Sequence, residues 1–226
     1  NVTSEIGKLK RVMLHRPGKE LEHLIPGELE RLLFDDIPYL RAAQQEHDVL
    51  ADILTEQGST VMYLEDLMAE TLKKDTRIRE QFLHQFIEEG GGLSQKFKEE
   101  LFGLLNQIED EKELVLKTMA GVSMHELRGA PRSPLADLIA PSGRFVLDPI
   151  PNLYFTRDPF ASIGRGVSLN QMYSPTRRRE TIYGKYILEY HPDFASKVPF
   201  YYRREYPFSI EGGDILNLNR KVLAVG

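Results

Sequence analysis

Glu211-Gly-Gly-Asp214-Ile-Leu-Asn-Leu-Asn219-Arg-Lys-Val222-Leu-Ala-Val-Gly226 holds the pattern from which the fold is read. Two alternating apolar runs flank Asn219-Arg220-Lys221, which predicts a β-hairpin. An echo lies upstream in Asp158-Pro-Phe160-Ala-Ser-Ile163-Gly-Arg-Gly166-Val-Ser-Leu169-Asn170. Its glycine-bounded turn, Gly164-Arg165-Gly166, is a strong hairpin signal. Each copy is an aspartate, a strand, a tight turn and a strand. Between them, Thr176 to Tyr190 carries Ile182, Tyr186, Ile187 and Tyr190 on one helical stripe and stops at His191-Pro192. A recurring hairpin-plus-helix unit predicts an α/β fold that repeats a ββαβ-type module. Val222 to Val225 reaches Gly226 with no polar tail, so we expect these residues to be the N-terminal portion of a longer protein.

Working towards the start of the chain, Phe145 to Leu147 reads as a short strand. Residues 8–15 read as a strand ended by Arg16-Pro17-Gly18. Pro38 to Gln57 places Leu40, Ala43, His47, Leu50, Ala51 and Leu54 on a helical stripe that ends at Gly58. Thr60 to Leu64 is strand-like. Strand, helix and strand in this order predict parallel neighbours. From about Asp66 to Ile139 the composition shifts to Glu, Lys, Leu and Gln with helical spacing: Ile78, Phe82, Phe86 and Ile87, then Phe97, Leu101, Leu104, Leu105 and Ile108. Gly90-Gly91-Gly92 separates two helices, and Leu114–Met119 and Leu135–Ile139 read as shorter ones. The division expected is 1–66 as the first part of a core, 67–140 as an all-helical insertion and 141–226 as the core continued.

Charge and composition exclude several classes of function. The 226 residues hold 29 Lys+Arg against 34 Asp+Glu, a formal charge of −5. That balance does not fit a basic nucleic-acid binder or a polybasic membrane-surface protein. No apolar run approaches the roughly 20 residues that span a bilayer. There is no cysteine, which removes disulfides, thiolate metal sites and thiol nucleophiles from these residues and fits a cytosolic protein. The six histidines show no paired metal spacing, and no phosphate-cradling Gly-x-x-x-x-Gly-Lys loop occurs. His47 reads as a satisfied core residue.

Four clusters can carry chemistry. In Pro151-Asn152-Leu-Tyr-Phe155-Thr-Arg157-Asp158-Pro159, an aspartate at a strand entrance can aim into a cavity; otherwise it caps the turn, with Arg157 on the surface. Glu211-Gly212-Gly213-Asp214 puts two carboxylates on one tight turn, suited to shared acid/base work or to a plain glycine turn. Arg177-Arg178-Arg179-Glu180 opens a helix against its dipole, so an arginine there can hold a substrate carboxylate or form a surface cluster with Glu180. Leu32-Leu33-Phe34-Asp35-Asp36-Ile37-Pro38 reads as a helix entry with an aspartate cap, or as a segment with Leu33 or Asp35 lining a pocket.

Taken together, Ser4 to Leu9, His15 to Gly18, Leu32 to Asp36, Asn152 to Asp158, Asn170 to Arg177 and Glu211 to Asp214 resemble the arginine deiminase family of the guanidine-modifying (pentein) superfamily. The resemblance implies an α/β propeller of ββαβ modules, incomplete over these residues, with a helical insertion. It implies hydrolysis of L-arginine to L-citrulline and ammonia through a covalent amidino-cysteine, with no cofactor, in a cytoplasmic and homo-oligomeric enzyme. By the same resemblance Asp158 and Glu211 are catalytic, gripping the guanidinium nitrogens, with Glu211 also beside the catalytic histidine. Arg177 and Asn152 would fix the α-carboxylate, Phe155 would lie along the methylene chain, Leu33 would belong to a pocket-covering loop, and Asp214 would support the site. The family's cysteine and histidine fall outside these residues, so turnover by them alone is not expected. Two other readings stay open: a non-catalytic arginine-binding module, and another guanidine-modifying enzyme such as an amidinotransferase or a dimethylarginine hydrolase.

Overall fold

The computed structural model describes residues 1–128 and 145–226. The expected helix at Leu135–Ile139 lies outside them. In chain order the elements are β1 (Arg11–Leu14), α1 (Leu40–Glu56), β2 (Thr60–Tyr63), α2 (Leu64–Leu72), α3 (Thr76–Glu88), α4 (Gly92–Lys96), α5 (Lys98–Asn106), α6 (Glu111–Ala120), β3 (Val122–Ser123), α7 (Met124–Arg128), β4 (Phe145–Leu147), β5 (Phe160–Ile163), β6 (Gly166–Leu169), α8 (Glu180–Tyr190), β7 (Phe200–Tyr202), β8 (Ile215–Asn219) and β9 (Val222–Val225). Very short helices occupy Lys19–Glu22 and Leu29–Leu32. The architecture is mixed α/β. None of the helices among the described residues is long and apolar enough to cross a membrane. The chain forms two compact units, one of Asn1–His15, Val49–Thr71 and Asn152–Gly226, the other of Arg16–Asp48 and Leu72–Pro151.

In the first unit β1 and β2 pair in parallel, Arg11 opposite Thr60 through Leu14 opposite Tyr63. This is the pairing that the strand–helix–strand order predicts. At the end of β1 the buried His15 ring places Nδ1 2.9 Å from the Glu65 carboxylate. β5 and β6 form an antiparallel hairpin from Phe160–Leu169 to Ile163–Gly166, turning at Gly164, whose φ of 53° suits a glycine. β7 then joins β6 in parallel. With α8 between β6 and β7, this is one complete strand–strand–helix–strand module. The sequence pattern does not foretell β7, because Phe-Tyr-Tyr lacks alternation and its partner is more than thirty residues away. β8 and β9 form the second hairpin.

The second unit is mostly helical. Asp75 caps α3 by accepting from the Arg77 N–H, and Asp110 caps α6 by accepting from the Glu113 N–H. Phe82, Leu83, Phe86, Ile87, Leu101, Leu105, Leu114, Val115 and Met119 are buried, so the apolar spacing of α3, α5 and α6 builds this core. β3 and β4 pair antiparallel beside it.

Three local expectations need correction. Leu50, on the expected buried stripe of α1, is 48% exposed, with Val49 and Ile53 also exposed and Ala51 buried. Leu32-Leu33-Phe34 is the exit of a short helix, not the entry of a long one. The Asp36 carboxylate accepts from its neighbour, the Ile37 N–H, at 2.7 Å, and α1 begins only at Leu40. The α8 region also starts late: Pro175–Arg177 is a tight 3-10 turn, and α8 proper begins at Glu180.

Candidate active site

The two aspartate-led hairpins meet at their entrances. The Gly212 N–H donates to the Asp158 carbonyl at 3.1 Å, and the Asn170 amide donates to the same carbonyl at 2.6 Å. Gly212 cannot carry a side chain there, since a Cβ would lie 2.0 Å from the Arg157 carbonyl oxygen. Arg157 clasps the turn from outside. Its Nε donates to the Gly212 carbonyl at 3.0 Å, one terminal nitrogen donates to the Ile215 carbonyl at 2.6 Å, and the fork is bidentate on Glu5 at 3.0 and 3.1 Å. Hydrogen bonds from Arg157, with help from the Asn217 backbone N–H, hold the Glu5 carboxyl down at about 2. Arg157 is exposed, as its surface reading expects, but it also staples the backbone between the two motifs.

The turn of Glu211 to Asp214 closes on itself. The Asp214 carboxylate accepts from the Glu211 N–H at 2.8 Å, and the Asp214 N–H donates to the Glu211 carbonyl at 3.0 Å. Asp214 is therefore a support of the turn. The Glu211 carboxylate accepts from the Tyr173 N–H at 3.0 Å.

Arg177 brings the carboxylates together. Its Nε and one terminal nitrogen form a fork on Glu180, both at 2.8 Å. The other terminal nitrogen donates to Asp158 at 3.0 Å and lies 3.7 Å from a Glu211 oxygen. The Arg177 side chain is 9% exposed and that of Glu180 only 1%, so the surface-cluster reading fails here. Glu180, placed three residues on in the first turn of α8, compensates the guanidinium that the helix dipole disfavours. Glu180 has no site role in the sequence reading; its signal was the Arg-x-x-Glu spacing. Asn152 is buried in the turn before the site, and its carbonyl accepts from the Phe155 N–H at 3.0 Å. Phe155 is half exposed with its ring 4.1 Å from that of Tyr154. Leu33 lies in the second unit. It is 51% exposed at a left-handed φ of 61°.

Three carboxylates against one guanidinium leave an excess of negative charge. Burial pushes the Glu180 carboxyl up to about 7 against the pull of Arg177, and Asp158 and Glu211 add to the push. Burial opposes charge on Arg177, but its bonds to Glu180 and Asp158 prevail and raise it. The linkage has a definite sign. A carboxyl raised on folding binds a proton more tightly in the native state, so its contribution is complete below about 4.5 and declines as pH rises through about 7. Glu180→Gln should therefore flatten the fall in stability between those two values. Denaturant titrations of both proteins across pH 4–8 would show an unchanged slope if Glu180 is not the group responsible.

Asp158 and Glu211 thus approach the same terminal nitrogen of Arg177, Asp158 at hydrogen-bond distance and Glu211 as a longer ion pair. Among the described residues no group of three or more His, Cys, Asp or Glu is arranged to hold a metal ion.

The arginine deiminase family model matches residues 30–226. The chain is 56% identical over 226 residues to the arginine deiminase of Treponema denticola, covering all of this chain and 55% of the relative. Arginine deiminases of Streptococcus agalactiae and Clostridium perfringens are 56% and 52% identical, again over all of this chain and 55% of theirs. The chain thus spans about half the length of the curated relatives it matches.

Proposed function

The chain belongs to the arginine deiminase family, and from that premise we propose that it supplies the substrate-gripping part of an enzyme that hydrolyses L-arginine to L-citrulline and ammonia. The observation that carries the reading is the convergence of Asp158 and Glu211 on one guanidinium. A guanidinium is planar, permanently charged near neutral pH and poorly electrophilic while its charge is delocalised. Two carboxylates aimed at its nitrogens bind it and hold the central carbon still for attack. In this reading Asp158 and Glu211 are catalytic, Arg177 and Asn152 address the substrate α-carboxylate, and Phe155 lies along the methylenes. Asp214 fixes the turn that carries Glu211, and Leu33 is a further substrate contact. Arg177 would then exchange part of its present carboxylate contacts for the substrate's.

The chemistry also needs a thiolate to displace ammonia, giving an amidino-thioether, and a water to release citrulline and regenerate the thiol. These residues contain no cysteine, so the thiol, and with it the histidine that moves the protons, would come from elsewhere in the protein. The same reading takes the fold as an α/β propeller with a helical insertion over 67–140 between core segments 1–66 and 141–226. The β5–β6–α8–β7 module and the second aspartate-led hairpin support it. It also takes the enzyme as cytoplasmic and homo-oligomeric.

The test uses a full-length enzyme carrying this sequence. Citrulline release from L-arginine is expected in the parent, with little or none from dimethylarginine. Asp158→Asn, which keeps the shape but removes the charge, is expected to lower kcat/KM by about 10³-fold or more. Release from the variant at a rate near the parent's would remove Asp158 from the mechanism.

A further inference from the structure

The segment ahead of β1 is tied to both aspartate-led hairpins. At the turn of the first, the Val2 N–H donates to the Gly164 carbonyl at 2.7 Å, and the Gly164 N–H donates back to the Val2 carbonyl at 2.6 Å. Three residues on, the Glu5 N–H donates to the carbonyl of Asn217, in β8 of the second hairpin, at 3.1 Å. The Asn217 N–H donates in return to the Glu5 carboxylate at 2.8 Å, and the Asn217 side-chain amide donates to the same oxygen at 3.3 Å. That amide also donates to the carbonyl of Ser162, in β5, at 3.0 Å. Asn217 is buried. The segment is thus a strap across the two hairpins, and all of these residues belong to one compact unit.

Glu5 is the node of the strap. Its two oxygens receive the Arg157 fork at 3.0 and 3.1 Å, 152 residues away in the sequence. The same guanidinium donates to the Gly212 and Ile215 carbonyls. It therefore joins the residue before Asp158 to the residue after Glu211. A long arginine side chain with much of its surface in water has many competing rotamers. A bidentate carboxylate removes that freedom, because it fixes the plane of the guanidinium as well as its place. The Arg157 side chain is 48% exposed and that of Glu5 30%, so the pair contributes little to overall stability. What it contributes is direction.

We infer that Glu5 is a positioning residue which, acting through Arg157, sets the spacing of Asp158 and Glu211. This rests on the reading of those two carboxylates as the groups that grip the substrate guanidinium. It places a determinant of the chemical step ahead of β1, far in the sequence from either carboxylate.

The experiment compares Glu5→Gln, Arg157→Gln and the double variant in the full-length enzyme, with Ser4→Ala as the control. Glutamine keeps the size of Glu5, but it removes the charge and turns one acceptor into a donor facing Arg157. Glu5→Gln is expected to lower kcat about tenfold or more, with KM for L-arginine within about threefold of the parent's. The split follows because the carboxylates hold the guanidinium for attack, whereas affinity is assigned to the α-carboxylate contacts. The melting temperature should stay within about 4 °C of the parent's. Arg157→Gln also loses the bonds to Gly212 and Ile215, so it should lower kcat further, and adding Glu5→Gln to it should change nothing more. Amide exchange should quicken in Glu5→Gln at Gly212, whose N–H donates to the Asp158 carbonyl, a readout independent of activity. Ser4→Ala, which loses the bond from the Ile6 N–H to the serine hydroxyl, should match the parent. If Arg157→Gln folds poorly, Arg157→Lys keeps the charge, loses the fork and takes its place in the cycle. Parental kcat in Glu5→Gln, beside an inactive Asp158→Asn, overturns the inference and leaves the proposed function standing. Equal losses from Glu5→Gln with and without Arg157 would mean that Glu5 does not act through it, which also overturns the inference. A fall in kcat that only matches a fall in folded protein makes Glu5 a structural tie and overturns it too. Near-parental turnover by Asp158→Asn would instead remove the pair that Glu5 is inferred to position, and the proposed mechanism with it.

Discussion

Arg177→Met is expected to destabilise the full-length protein by about 3–5 kcal/mol, a fall of roughly 5–15 °C in melting temperature. The methionine fills the same space but leaves three carboxylates without their shared cation. Glu180 suffers most, because its side chain is 1% exposed and both of its oxygens receive Arg177. A buried carboxylate that loses its counter-charge takes up a proton if it can. The loss should therefore be smaller near pH 5 and grow towards pH 8, where the bare Glu180 resists ionisation. Arg177→Met/Glu180→Met should recover much of the loss, since removing both partners of a buried pair costs less than removing one. Activity does not separate the explanations, because Arg177 is also proposed to hold substrate. Melting and denaturant curves do. A single variant that melts with the parent, at neutral pH and above, would mean that the cluster does not depend on Arg177 for its charge balance.

Much of the framework is legible from periodicity. Val12 and Val61 lie in short apolar runs separated by one amphipathic helix, and strands so connected pair in parallel. Gly164 marks the hairpin because few other residues accept its backbone angle. The misses have physical causes. β7 exists because β6 offers it a parallel edge, a contact with no local signature. Leu50 looks like core by spacing, yet the 17-residue α1 covers only Ala51 fully, since periodicity names a face without saying what lies against it. The site is legible in its parts and not in its assembly. Asp158 and Glu211 stand out as acids at strand entrances, but their approach depends on two hairpin turns bonding through Gly212 and Asp158. Residue types near Arg177 cannot distinguish a surface arginine cluster from a buried one; the fork on Glu180 and the bond to Asp158 do.

That assembly leads to the second large effect. Gly212→Ala is expected to lower kcat/KM of the full-length enzyme by about 100-fold or more, while Gly213→Ala, its neighbour, changes little. A Cβ on Gly212 would lie 2.0 Å from the Arg157 carbonyl oxygen, 2.6 Å from its carbon and 2.8 Å from the Arg157 Cγ. The first two are backbone atoms, fixed by the turn that also bears Asp158, so the clash cannot be relieved by a side chain swinging away. The turn of Glu211 to Asp214 must back off, lengthening the bond from the Gly212 N–H to the Asp158 carbonyl and that from Arg157 to the Gly212 carbonyl. Glu211 moves with it, and a carboxylate pair displaced by about 1 Å no longer matches a planar cation. Overpacking of this kind also costs about 1–3 kcal/mol of stability. At Gly213 a Cβ meets nothing within 4 Å, so Gly213→Ala tests whether glycine is needed there for shape or only occurs there. Steady-state kinetics beside melting curves separate the two effects. Near-parental kcat/KM in Gly212→Ala would show that the spacing of Asp158 and Glu211 is not set by this contact.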